Sequence, residues 1–193
     1  MPLLGLYSGA RENELAQLRL SDISIDVETP YFSVQESSET RVKTKSSIRI
    51  VPIHPTLIDL GLLKYVTWLK ENDQKYLFPE LEDRDNKGAA VSKLFSYFLK
   101  YNCKLVNLID NTIIGFHSFR NNFSDEFKQK GAQSYIAGEI MGHKTAGMTY
   151  GTYGSNIKLK PSFEYMNEYL TFDGVKFPWV TDSNYSIKKF PWE

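Results

Sequence analysis

The stretch GFHSFRNNF, residues 115–123, places a histidine three residues before an arginine among aromatic side chains. On a helix, residues three apart share a face, so His117 and Arg120 would direct two hydrogen-bond donors at one point. Arginine suits a phosphate because its planar guanidinium makes two parallel hydrogen bonds and keeps its charge. The competing interpretation is structural, with a partly buried histidine stacked on the aromatic rings and the arginine extending to water. For this short motif taken alone, the structural interpretation is favoured.

A second cationic side chain stands near the start of the chain, in SGARENEL. Arg11 follows small residues that would let a ligand come close, and Ser8 and Gly9 are the predicted caps of the helix that it begins. Glu14, three residues on, could orient Arg11 or another cation. The alternatives are a solvated arginine at a helix start and an exposed first-turn acid favoured by the helix dipole.

Two lysines, Lys43 and Lys45, lie in VKTKSSIRIVP, where the pattern predicts a turn between strands. A lysine carried on such a turn could reach into a cleft and donate a proton to a leaving oxygen. The alternative is an ordinary solvated turn.

Near the end of the chain, IMGHKTAGMTYGTYG holds His143 directly after a glycine, followed by Tyr150 and Tyr153. The alternative here is a loop with surface aromatics, with the histidine capping or packing against the preceding helix. Each of these four signals is weak when taken separately.

The elements that would position these residues follow from periodicity. Residues 23–27, 31–35 and 47–53 alternate and are rich in β-branched or aromatic side chains, which predicts a small antiparallel sheet of three strands. Helical patterns cover residues 10–20, 55–72, 90–102, about 117–129, about 132–141 and 160–170, with a break at Gly131. The predicted fold class is therefore α+β, mainly helical, with the sheet inserted near the front.

Composition narrows the function. The 193 residues suffice for one domain, and the single cysteine excludes a disulfide framework and a cysteine-built zinc site. No apolar run reaches the roughly 18 residues of a membrane span. A net charge of zero argues against a nucleic-acid partner, but the cations concentrate in RVKTKSSIR and the acids in ELEDRD. Three histidines and no His-Glu-x-x-His motif argue against a metal-dependent hydrolase.

The order of the four signals is informative: Arg, a hairpin Lys, His-x-x-Arg, Gly-His, then Tyr. This order resembles the tyrosine recombinases, the phage integrase family, in the segments GLYSGARENELAQLRLSDI, KTKSSIRIVPIHP, HSFRNNF and MGHKTAGMTYGTYG, from about residue 3 to 154. The resemblance implies the DNA breaking-rejoining catalytic fold. It also implies that a tyrosine attacks a DNA phosphodiester to give a 3′-phosphotyrosine and a free 5′-hydroxyl.

The same resemblance assigns roles to the cationic residues. Arg11 and Arg120 would clamp the scissile phosphate. His117 would donate a hydrogen bond to that phosphate or assist proton transfer, and His143 would contact a non-bridging oxygen. Glu14 matches the acidic position three residues after the first arginine and would have a supporting role.

Two assignments keep alternatives. Lys43 fits the general acid best because it precedes Thr44, as in the family's KT pattern, and Lys45 is the alternative. Tyr153 matches the family's terminal YG and would be the nucleophile, with Tyr150 as the fallback.

The resemblance further implies a single catalytic domain over residues 1–193, with 155–193 as a C-terminal tail and an N-terminal DNA-binding domain absent. The implied partners are double-stranded DNA and, in the full-length protein, further copies of the chain as a tetramer on DNA. No cofactor, no metal and no membrane are expected, and the setting would be the cytoplasm, with integration or excision of a phage or other mobile element as the role. The alternatives are a relaxing enzyme like the type IB topoisomerases and a non-catalytic DNA-binding remnant.

Overall fold

The structure, a computed structural model, describes residues 1–37, 40, 44, 47–103, 114–143 and 158–172. Its strands are β1 (Ile23–Ser24), β2 (Tyr31–Val34) and β3 (Arg49–Pro52). Its helices are α1 (Pro2–Ser8), α2 (Glu12–Ala16), α3 (Pro55–Asp59), α4 (Leu62–Glu71), α5 (Lys87–Tyr101), α6 (His117–Gln129), α7 (Ser134–Met141) and α8 (Leu159–Tyr169). The predicted class, mainly helical with a small three-stranded antiparallel sheet, is confirmed.

The sheet is built on its central strand, β2, which pairs antiparallel with both neighbours. Ile23 lies opposite Phe32, which in turn lies opposite Val51. These three apolar residues are buried, so one face of the sheet packs on the core, as the alternating pattern predicted.

The beginning of the chain differs from the prediction. Pro2 opens α1 at its first turn, a helix that the sequence reading missed, and Gly9 ends α1 rather than capping the next helix. Gly9 adopts φ 60°, and a Cβ there would lie 2.7 Å from the ring of Phe123. This left-handed turn lets the chain reverse closely over α6 and brings Arg11 to the start of α2.

The predicted helix over residues 55–72 is two helices, α3 and α4. Gly61 between them adopts φ 89°, in the left-handed region that interrupts a right-handed helix. Pro55 does open α3, as predicted, and the imidazole of His54 caps it by accepting a hydrogen bond from the backbone N–H of Thr56.

Two apolar clusters make up the core of the described residues. The larger one joins α1, α2, the sheet and helices α3 to α5; the smaller one joins α6, α7 and α8 around Phe123, Phe127, Met166 and Leu170. Helix α1 packs on α6 and α8 packs on β3, which holds the two clusters together. Among the described residues, no helix combines the length and apolar character that crossing a membrane requires.

Candidate active site

The start of helix α2 contains an arginine and a glutamate that are hydrogen-bonded to each other. Arg11 is the N-cap of α2, and its Nη1 donates to Oε1 of Glu14 at 2.7 Å while its backbone N–H donates to Oε2 at 2.9 Å. The Glu14 side chain is 3% exposed and that of Arg11 is 23% exposed. The interpretation of Glu14 as an exposed first-turn acid is therefore wrong, and this carboxylate holds Arg11 in place.

The arginine of HSFRNNF is buried, at 3% exposure, and lies on the inner face of α6. Its Nη1 donates to the carbonyl of Gly9 and its Nη2 donates to the carbonyl of Met141 at 2.8 Å. His117, one turn earlier, is exposed. The structural interpretation of this motif is thus wrong in both parts, because the guanidinium of Arg120 is inside and the imidazole is outside.

A third guanidinium, that of Arg49 on β3, enters the same cluster. It donates to Oε2 of Glu14 from Nη2 at 3.0 Å and to the carbonyl of Ile140 from Nε at 2.7 Å. Sequence reasoning noted Arg49 only as part of the basic segment RVKTKSSIR and assigned it no role. The available signal was a charged residue in the middle of an apolar strand pattern.

His143 is positioned by the end of α7. Gly142 is the left-handed C-cap, with φ 71°, and the N–H of His143 donates to the carbonyl of Gly138 at 2.8 Å. This is the usual way in which a glycine after a helix satisfies its last carbonyls. The Gly-His dipeptide therefore fixes the backbone of His143 at the end of α7, two residues after Met141, whose carbonyl Arg120 binds.

The electrostatics show that these groups act on one another. The pKa of Arg120 falls to about 10, first because burial disfavours its charge and then because of the charges of Arg11 and Arg49. Burial would raise the pKa of Glu14, but the charge and hydrogen bonds of Arg49 and the hydrogen bonds of Arg11 hold it below its usual value. Two guanidinium groups thus bind the Glu14 carboxylate, and the charge of that carboxylate also acts on Arg120.

His143 experiences the same field. Its side chain is exposed, but partial desolvation by the neighbouring protein lowers its pKa, and the charges of Arg120, Arg11, Arg49 and His117 lower it further. The two histidines and the arginines therefore lie within electrostatic reach of one another. Such a concentration of cations is suited to an anion with several oxygens, such as a phosphodiester.

The hairpin lysines Lys43 and Lys45 lie outside the described residues, as do Tyr150 and Tyr153. What the structure does describe is the flank of that hairpin: the hydroxyl of Ser47 accepts a hydrogen bond from Nη1 of Arg11 at 3.2 Å and lies 3.2 Å from the hydroxyl of Thr44. This part of the hairpin therefore contacts the cationic cluster.

The third histidine has a different place. His54 is buried, its ring packs 4.7 Å from that of Tyr7, and burial lowers its pKa to about 4. It is therefore a neutral core residue that caps α3. Among the described residues, no three His, Cys, Asp or Glu side chains come together as a metal site would need.

Comparisons with known proteins agree on a family. The model of the phage integrase family matches residues 1–158. Among solved structures, the XerA recombinase is 18% identical, with a TM-score of 0.51 over 86% of this chain and 54% of the other. The Tn1549 transposon integrase, solved in complex with transposon right end DNA, is 17% identical, with a TM-score of 0.53 over 86% of this chain and 57% of the other.

At identities this low, the structural similarity to these two recombinases shows a shared fold and nothing further. The chain spans slightly more than half the length of these two recombinase chains. A search of the curated proteins gave no significant match.

Proposed function

This chain belongs to the phage integrase family, and we propose on that basis that it cuts and rejoins double-stranded DNA through a 3′-phosphotyrosine intermediate. The observation that carries the proposal is that cationic residues from separate parts of the sequence come together in the fold. Arg11, Arg120 and His143, which are distant in sequence, lie in one electrostatically coupled cluster. These are residues to which the family resemblance assigns contact with the scissile phosphate.

The cluster suits the charge that develops during phosphoryl transfer. The transition state carries additional negative charge on the non-bridging oxygens, and fixed cationic donors stabilise it more than the ground state. Arg120 is held by two backbone carbonyls and Arg11 by Glu14, so neither needs to reorganise when the substrate binds. Arg11 is the more exposed of the two and offers the more accessible donors to a phosphate.

In the proposed reaction the hydroxyl of Tyr153 attacks the phosphorus, with Tyr150 as the alternative nucleophile. The bond from phosphorus to the 5′-oxygen breaks, and Lys43, or alternatively Lys45, gives that oxygen a proton. His117 accepts the proton that the tyrosine hydroxyl loses or donates a hydrogen bond to the phosphate, and His143 donates a hydrogen bond to a non-bridging oxygen. Attack by a 5′-hydroxyl of the partner strand then reverses the step, so the bond energy is conserved in the covalent intermediate.

The proposal also covers the domain organisation of the chain and its assembly on DNA. Residues 1–193 form one catalytic domain with 155–193 as its tail, and copies of the whole protein assemble as a tetramer on DNA to integrate or excise a phage or other mobile element. The match to the family over residues 1–158 supports the assignment of that part of the chain to the catalytic domain.

The test is covalent capture on nicked DNA duplexes whose sequence flanking the nick is randomised, because a nick lets the free 5′-segment diffuse away and traps the intermediate. We expect an adduct that survives denaturation, forms in EDTA, and is lost in Tyr153→Phe while DNA binding persists. Loss in Tyr150→Phe with retention in Tyr153→Phe would transfer the role to Tyr150. Absence of any adduct from the unsubstituted chain would refute the function, and plasmid relaxation without strand exchange would favour the topoisomerase-like alternative.

A further inference from the structure

Strand β3 reverses the usual relation between side-chain polarity and burial. Arg49 points into the protein, whereas Ile48 and Ile50 on either side of it are 48% and 53% exposed. A half-exposed isoleucine forgoes part of the roughly 1.5–3 kcal/mol that full burial of such a side chain contributes. A one-residue shift would bury both isoleucines, but it would also turn Val51 out of the core.

Inside the protein, each nitrogen of the Arg49 guanidinium has a protein partner. Nη1 donates to the carbonyl of Ser47 at 2.8 Å, Nη2 to Oε2 of Glu14 at 3.0 Å, and Nε to the carbonyl of Ile140 at 2.7 Å. These partners come from three places: the hairpin flank, α2 and the end of α7. Arg49 is therefore a junction between elements rather than a group presented to a ligand.

Two of the partners of Arg49 are linked directly to residues of the proposed phosphate site. On one side, Glu14 is the carboxylate that binds Arg11. On the other side, Ile140 precedes Met141, whose carbonyl accepts from Arg120. Arg49 and Arg120 thus donate hydrogen bonds to consecutive backbone carbonyls in the last turn of α7.

We propose that Arg49 is a positioning residue of the proposed recombinase site: it fixes Glu14, and through it Arg11, against the end of α7 that carries His143. This inference rests on the proposed function. The fork geometry of arginine is essential, because a lysine in its place has one nitrogen and cannot donate in three fixed directions across three elements.

The experiment compares Arg49→Lys, which keeps the charge and loses the fork, with Arg49→Gln, which loses both. Arg84→Gln is the matched control, because Arg84 is an exposed arginine in the loop before α5. Two quantities are measured: the rate of adduct formation on the nicked DNA at saturating concentration, together with the half-saturating DNA concentration, and the pKa of His143 by NMR without DNA. The chain has three histidines, which keeps their imidazole signals few.

For Arg49→Lys and Arg49→Gln we expect the adduct rate to fall about ten- to hundredfold, as for substitutions of residues that orient a site, with the half-saturating DNA concentration within about twofold. The pKa of His143 rises in Arg49→Gln, since one of the positive charges that lower it is gone, and stays unchanged in Arg49→Lys and Arg84→Gln. A positioning role therefore predicts that the adduct rate falls in both variants, because both lose the guanidinium geometry, whereas the pKa of His143 changes only in the variant that loses the charge.

An unaltered adduct rate in Arg49→Lys or in Arg49→Gln would overturn the proposal. Loss of folded structure in both variants, judged by circular dichroism, would overturn it as well, because Arg49 would then be needed for the fold. If the unsubstituted chain forms no adduct, the proposed function fails. An unchanged His143 pKa in Arg49→Gln would separately refute the coupling of Arg49 to the site.

Discussion

Replacing Glu14 with glutamine tests the reasoning about the site most directly. The carboxylate accepts three hydrogen bonds: from Nη1 of Arg11 at 2.7 Å, from the backbone N–H of Arg11 at 2.9 Å, and from Nη2 of Arg49 at 3.0 Å. Glutamine keeps the shape but not the charge. It also turns an NH₂ group, which is a donor, towards groups that are themselves donors.

The magnitude follows from burial. Removing one partner of a buried ion pair destabilises a protein by about 3–5 kcal/mol, because an uncompensated charge is left behind. The Glu14 side chain is 3% exposed and that of Arg49 is 5% exposed, whereas Arg11 at 23% can recover some hydration. We therefore expect a loss of about 3 kcal/mol, which is a large part of the 5–15 kcal/mol typical of a domain.

The assay is urea unfolding followed by circular dichroism, with Glu12→Gln as the matched control. Glu12 lies in the same first turn of α2 and is only half-buried, so its substitution should remove about 0.5 kcal/mol of helix-dipole interaction. A free energy of unfolding for Glu14→Gln within about 1 kcal/mol of that for Glu12→Gln would refute the claim that this carboxylate holds the cluster together.

The pH dependence provides a second check on Glu14. Its pKa is lower in the folded protein than in the unfolded chain, so its contribution is fully present above the ordinary carboxyl pKa and is lost as the pH falls through the folded value. The stability of Glu14→Gln should therefore decline less between neutral and acidic pH than that of the unsubstituted chain. Parallel curves for the two proteins would contradict the lowered pKa.

Three further substitutions test the scaffold. Gly9→Ala should lower the free energy of unfolding by about 2–4 kcal/mol in urea titrations, because φ is positive there and the new methyl group meets the Phe123 ring; an unchanged value would contradict that turn geometry. The pKa of His54 is about 4 when folded and 6.5 ordinarily, so stability should fall as the pH drops through that window. His54→Asn, which keeps an acceptor at the start of α3, should abolish up to about 3 kcal/mol of this dependence in unfolding curves taken at several pH values. Met166→Ala should cost about 2–5 kcal/mol in thermal and urea unfolding, because its fully buried side chain seats α8 on the core, whereas Leu94→Ala at a 64% exposed position should change little; equal effects would argue against that docking.

Local periodicity explains why the types of most helices and strands could be predicted from the sequence. The alternation in β2, the helical spacing of HSFRNNF and the proline that opens α3 are properties of a few consecutive residues, and they determined the element types. The interruption at Gly61 was missed because glycine inside a helical pattern is compatible with both a continuous helix and a break. The choice between them depends on packing beyond that segment.

The sequence by itself determined which chemical groups the protein has and that His117 and Arg120 share one turn of helix. Only the tertiary structure decided which of the two is buried, because the carbonyls that hold Arg120 come from Gly9, 111 residues away along the chain, and from Met141. The same holds for Arg49, whose partner Ile140 is 91 residues distant. Contacts of that range leave no local periodic trace, since their energy is gained only when separate elements pack together.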